Sequence, residues 1–317
     1  MRYAFSQHTI FQIQFKGLIY FSPKCEHTTN FAEEVHILKF YAGRFSLVPA
    51  NQNLFYQLGS EQKFIYALEA LHHECEFNHN GLSLLLEPIL DTHNNVIGGK
   101  LGRQTSKTLP LKDDGKLIKR RAILYPYILF ILVPEEQIIL FQRDRTVFSS
   151  DLQVFRHLEY FFELQLLEKG LEVSIKPLTA KGKFWDAITT SEKIYNIRFV
   201  LEMPNFLGST EKHLRDTLKE IRNLTNGTKL DIAVNNKNGE LKLGPDKTIQ
   251  PMVNWSENGA GEWTVRRKAK GHKKPTTIKN SDQLATFEYD NDIDTTDEAA
   301  IKDIYSHIDL GSYKVKK

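Results

Sequence analysis

A chain of 317 residues that is 41% hydrophobic and 11% aromatic holds enough apolar material for one large or two ordinary cores, which excludes a disordered polymer. Its 42 Lys and Arg nearly balance 39 Asp and Glu, so bulk charge points to no polyanion and only segregated charge can. Two cysteines, Cys25 and Cys75, exclude a disulfide framework, and the absence of a leader pattern points to a reducing, cytoplasmic setting.

The first elements alternate apolar and polar residues. TIFQIQFKGLIYF (Thr9 to Phe21) and VHILKFYA (Val35 to Ala42) are expected as half-buried strands. In SEQKFIYALEALHHECEF (Ser60 to Phe77) the spacing turns helical, with Ser60 at the N-cap, Glu61 in the first turn, and Phe64, Leu68 and Leu71 on one face. GLSLLLEPIL and VIGGKLGR then flank the turn residues DTHNN. After a basic connector comes AILYPYILFILV (Ala122 to Val133), too short to span a bilayer and broken by Pro126. It reads as a central strand buried on both faces, turning at PEEQ into a second strand.

Asp151 to Lys169 is expected as a helix, with Ser150 and Gln153 spaced as a capping box and Gly170 as its stop. LEVSIKPL and IYNIRFVLEMP are strands. STEKHLRDTLKEIRNLTNG is a capped helix burying Leu214, Leu218 and Ile221, and KLDIAV returns to strand. Asn238-Gly239 is a two-residue hairpin signal, so KLDIAVNNK should pair with ELKL. EWTVRRK and ATFEYD are expected to form a protruding hairpin with a long basic loop, and TDEAAIKDIYSHI a short acidic helix. The fold class is therefore α+β: an N-terminal, mostly antiparallel sheet with a covering helix over residues 1–145, and a C-terminal mixed α/β sandwich over residues 146–317. The second part carries a basic arm (about 262–279) and an acidic end (about 287–303).

Two constellations imitate chemistry. Asp231, Glu240 and Lys242 copy the acid and Glu-x-Lys spacing of one class of metal-dependent nucleases. A tight turn at Asn238-Gly239 would, however, hold Asp231 roughly 20 Å from Glu240, too far to share a metal. His72, Cys75 and His79, three and four apart, would share one helix face, with Cys25 and His27 as further zinc donors, but the face continues that of Leu68 and Leu71 and reads as packing. No glycine pattern matches a nucleotide loop and no nucleophile sits in an elbow, so neither a cofactor nor a catalytic residue is expected.

The two basic segments remain. Gly98 to Arg121 holds eight Lys or Arg, but Asp113 and Asp114 interrupt it, and it reads first as a solvated face. Thr264 to Lys279 is nearly free of acid. Arg266, Arg267, Lys268, Lys270, Lys273 and Lys274 are expected on an adaptable arm that contacts phosphates, with Lys100, Arg103, Lys119, Arg120 and Arg121 as the second set.

The stretches YPYILFILVPEEQIILFQRDRTVFSSDLQVFRHL, LEVSIKPLTAKGKFWDAITTSEKIYNIRFVLEMPN and KLDIAVN, within about residues 124–235, resemble the RexA-type phage-exclusion proteins of lambdoid prophages and related bacterial abortive-infection proteins. The resemblance implies a mixed α+β homodimer that binds double-stranded DNA with little sequence preference and signals, as an intracellular sensor, to a membrane or other effector encoded nearby. It supplies no catalytic residue, and the N-terminal region, the basic arm and the acidic end depart from it. The expected function is a sequence-tolerant DNA-binding sensor or effector of anti-phage defence. The alternatives are a metal-dependent nuclease at Asp231, Glu240 and Lys242, or a non-enzymatic assembly subunit of a defence complex.

Overall fold

Every residue from Ile128 to Val133 is buried, because the strand to which they belong has neighbours on both edges and packing on both faces. In the computed structural model, which describes residues 37–49, 60–91, 96–113, 116–202, 212–290 and 298–313, strand β7 (Tyr127–Val133) lies inside an antiparallel sheet. It is flanked by β8 (Ile138–Gln142) and β4 (Val96–Arg103), and β3 (Leu82–Asp91) and β2 (Cys75–His79) follow beyond β4. On the other side of β8 runs β1 (Leu38–Pro49). Its far edge is shared between β14 (Thr286–Tyr289), opposite Leu38 to Tyr41, and β9 (Leu171–Pro177), opposite Gly43 to Pro49.

Strand alternation sends one set of side chains to each face. Tyr41, Phe45, Leu101, Phe130 and Phe141 face helices α1 (Ser60–Ala70) and α2 (Asp151–Leu166), meeting Val154, Phe155, Leu158, Phe161 and Phe162. Phe40, Ala42, Leu129, Ile131 and Leu140 face helix α6 (Glu298–His307), through Ile301 and Ile304, and the C-terminal turn at Leu310 and Tyr313. Each such side chain, fully buried, contributes on the order of 2 kcal/mol. Gly43 leaves room for the first layer, since a Cβ there would lie 2.5 Å from the Phe155 ring.

A second sheet, ordered β11 (Lys229–Asn235), β10 (Ser191–Glu202), β12 (Gly261–Ala269), β13 (Thr276–Lys279), buries Phe199, Trp263 and Val265. They pack with residues of α3 (Lys183–Thr189), α4 (Lys212–Thr225) and α5 (Ile249–Trp255). The chain is thus α+β. Among the described residues, no helix is long and apolar enough to cross a membrane.

Several local expectations are corrected by long-range pairing. Residue 145 does not separate two sheets, since β9 and β14 from beyond it pair with β1. The helix from Ser60 stops at Ala70, and Cys75 to His79 is a strand paired with β3. Ser150 makes no side-chain cap, so the box with Gln153 does not form, although Gly170 ends the helical run with φ 65° as its stop. Asn238-Gly239 does turn, but Asn236 organises it by accepting the Asn238 N–H at 2.9 Å, and the chain returns to β10, where Glu240 bridges Ile194. β11 therefore pairs with β10 and not with ELKL. TFEY joins the first sheet, and β12 takes β13 as its partner. The expected strand at Thr9 to Phe21 lies outside the described residues.

One buried cation ties these parts together. Arg44 in β1, 4% exposed, donates from Nε to Asn258 O (3.1 Å), from Nη1 to Glu136 O (2.7 Å) and from Nη2 to Tyr313 O (3.0 Å). Replacing it as Arg44→Met keeps the bulk and strips three carbonyls of their donor. With each buried acceptor left unpaired costing roughly 1–3 kcal/mol, the expected loss in urea unfolding is about 3 kcal/mol or more; a loss below about 1 kcal/mol would show that the three bonds are dispensable.

Candidate nucleic-acid interface

Where β4 ends, the chain leaves the main sheet. Among the described residues, strands β5 (Thr105–Asp113) and β6 (Lys116–Leu124) pair only with each other, from Thr105 opposite Leu124 to Asp113 opposite Lys116. Nine residues a side make a ribbon roughly 30 Å long. Lys107, Lys112, Lys116, Lys119, Arg120 and Arg121 are all exposed along it. Arg121 Nε donates to Ser106 Oγ at 2.6 Å, a contact that leaves its charge unneutralised. No ion pair among the described residues involves Lys107, Lys112, Lys116 or Lys119. Pro110 lacks an N–H to offer a further strand, a common device on edges.

The other expected phosphate contacts are distributed differently. Lys100 and Arg103 belong to β4, inside the main sheet. Lys100 Nζ lies 3.4 Å from Glu87 and 5.3 Å from the centre of the Tyr127 ring, and Arg103 Nη1 donates to Val147 O at 3.4 Å. Arg266, Arg267 and Lys268 are not on a loose arm, because β12 is held between β10 and β13. Arg267 Nη1 donates to Ala187 O (3.1 Å) and to Thr190 Oγ1 (2.6 Å), closing the C-terminal end of α3. Lys268 Nζ sits 3.0 Å from Glu192, while Arg266 is exposed on the sheet's outer face. Lys270, Lys273 and Lys274 are exposed in the turn between β12 and β13, where Gly271 takes φ 79°. The projecting basic element is therefore β5–β6. The signal that could have found it is Asp114-Gly115, a hairpin pair between two runs of alternating residues.

The metal-like constellations are dispersed. His72 follows the helix and Cys75 and His79 lie on a strand, so the three share no helix face; Cys25 and His27 lie outside the described residues. Asp231 stands opposite Val200 and Glu240 bridges Ile194, six residues apart on β10, or roughly 20 Å. Asp231 accepts Arg198 Nε at 2.9 Å, and this partner holds its carboxyl below the usual range. Among the described residues, no group of three or more His, Cys, Asp or Glu could hold a metal ion.

His79 instead meets His157 of α2, with Nδ1 to Nδ1 2.9 Å, under the stacked ring of Tyr160. His157 is fully buried beside Phe148, and among the described residues its Nε2 has no partner. Burial, then His79 and Arg103, lower its pKa to about 4, so the folded protein holds it neutral while the unfolded chain protonates near 6.5. The contribution of His157 to stability should fall as pH drops from about 6.5 to about 4, by on the order of 3 kcal/mol at 1.36 kcal/mol per unit. Chemical unfolding of the protein and of His157→Gln across that range should differ by an amount that changes with pH to that extent; a difference that stays constant with pH would assign the titration to other groups.

Fold and surface together define an α+β protein with a projecting, cationic, two-stranded ribbon. Residues 126–305 match the family described as a domain of unknown function, DUF4747, and the chain belongs to that family. The match includes β12–β13 and begins just after the ribbon ends. No curated protein matches the chain, and no solved structure does.

Proposed function

We propose that the protein grips double-stranded DNA by its phosphates, without base-specific geometry, and serves as a sensor or effector of anti-phage defence. The observation that carries the grip is the β5–β6 ribbon, whose sequence holds six Lys or Arg against Asp113 and Asp114 and which, among the described residues, pairs with no other strand. Long flexible cations on an element with solvent on both faces can reach phosphates at small desolvation cost, and each contact releases condensed counterion. The turn at Lys270, Lys273 and Lys274 provides a second, smaller patch. The role in phage exclusion, a homodimeric state and signalling to a neighbouring effector rest on the resemblance of residues 124–235 to RexA-type proteins; no enzymatic step or cofactor belongs to this reading.

Charge reversal separates the two patches. Lys112→Glu, Lys119→Glu and Arg121→Glu together should weaken binding to all duplex sequences alike and reduce the log–log salt slope by about 3, at near 0.9 per phosphate contact. Reversal of Lys270, Lys273 and Lys274 should have a smaller effect on both. The opposite order would return the grip to the β12–β13 turn, and no duplex binding by the unaltered protein at low salt would remove the DNA reading. Loss of protection against phage in cells carrying the ribbon variant, with protein levels unchanged, is the expected outcome for the defence role.

A further inference from the structure

The apolar side chains of the ribbon say which surface of DNA it fits; the inference rests on the phosphate grip just proposed. By register and alternation, Leu117, Lys119, Arg121 and Ile123 stand in a row on one face of β6, with Lys112 across on β5. Leu117 is 85% and Ile123 61% exposed. Of the ten large hydrophobic residues that stand exposed among the described ones, three, Leu111, Leu117 and Ile123, fall in these two strands. Single exposed leucines are ordinary, but aliphatic side chains interleaved with cations on an unpartnered ribbon form a patterned surface. A second copy of the same ribbon would set like charges against each other, which disfavours self-pairing. The charge complement is a polyanion with apolar groups recessed between its phosphates.

We propose that the ribbon docks in the major groove of B-form DNA with the Leu117–Ile123 row toward the bases. That groove, about 12 Å wide, admits a two-stranded ribbon, and its floor carries the thymine C5 methyl. The shorter Leu and Ile side chains rest on methyls at the floor, while the longer Lys112, Lys119 and Arg121 reach outward to the phosphates that form the walls. A-form RNA has a deep, narrow major groove that such an element cannot enter, and uracil lacks the methyl.

The test compares three duplexes of one sequence at one salt concentration: DNA, the same DNA with uracil in place of thymine, and RNA. Removing the methyls should weaken binding of the unaltered protein by about fourfold for each methyl buried, and RNA should bind more weakly still. Leu117→Ser with Ile123→Ser should bind the thymine and uracil duplexes equally while keeping the salt slope, since no cation is lost. These side chains are exposed, so folding should be retained. Equal affinity of the unaltered protein for thymine and uracil DNA overturns major-groove docking but leaves the phosphate grip standing, as does equal affinity for RNA. A methyl effect that survives the double substitution also overturns it, by placing the contact elsewhere. Absence of binding to any duplex at low salt removes the grip and the docking together.

Discussion

Arg44 is the constraint around which the rest of the molecule is arranged. A guanidinium with almost no exposure remains charged at neutral pH, since burial lowers its pKa only to about 10, and a buried charge is tolerated only when its donors are met. Three segments far apart in sequence supply the carbonyls: the β7–β8 turn at Glu136, the bulge at Asn258 and the C-terminal turn at Tyr313. Each must come close to β1. Gly259 permits the closest approach, because it takes φ 80° and a Cβ there would lie 2.7 Å from the Arg44 Cβ. The bulge in turn leads directly into β12, so the requirement of one side chain in the first sheet helps to fix where the second sheet starts. Lys181 adds to the same junction, donating to Asn258 Oδ1 at 2.8 Å, and Tyr313 OH donates to Thr179 O at 2.7 Å.

That junction contains a second buried ionisable group whose logic is opposite to that of His157. Glu257, 2% exposed, has its pKa raised to about 7 by burial, against Lys181 and the N–H groups of Gly182 and Phe184, which favour the carboxylate. A raised carboxyl contributes stability that is complete below its ordinary range and is lost as pH rises through about 7. His157 contributes stability that is lost as pH falls below its ordinary value. Between about 4.5 and 6.5 the two slopes oppose each other, so each burial flattens the pH dependence that the other would give alone. Neither group lies in the ribbon, so folding and the proposed grip are set by different charges.

What was legible in the sequence was whatever the local pattern determines alone. The β7–β8 pair could be read because a continuous apolar run has no alternative to burial on both faces, and Gly170 marked the end of α2 because a left-handed stop favours glycine. The strand Cys75–His79 could not be read, since Leu68, Leu71, His72 and Cys75 keep helical spacing and only pairing with β3 makes the segment extended. The turn at Asn238-Gly239 was right in its chemistry and wrong in its partner, because Asn236 and the contact of Gly239 with Lys193 direct the chain back to β10, where a Cβ on Gly239 would lie 2.8 Å away. The choice of β13 over β14 as partner of β12, which leaves β14 to pair with β1 more than two hundred residues away, has no signal in any short window.

The candidate site shows the same division, with a physical reason. Counting charges favoured the segment with six cations and no acid from Arg266 to Lys274, yet cations within a sheet tend to be occupied by their surroundings. Arg267 serves the end of a helix, Lys268 a carboxylate, and Lys100 both a carboxylate and an aromatic face. A cation already paired must lose that partner before it can bind phosphate, so its net contribution to binding shrinks toward the small value typical of exposed ion pairs. Among the described residues, Lys107, Lys112, Lys116 and Lys119 of the ribbon form no ion pair that would compete. Availability for a polyanion is therefore a property of topology before it is one of composition, and here topology leaves the smaller local excess of charge as the more usable one.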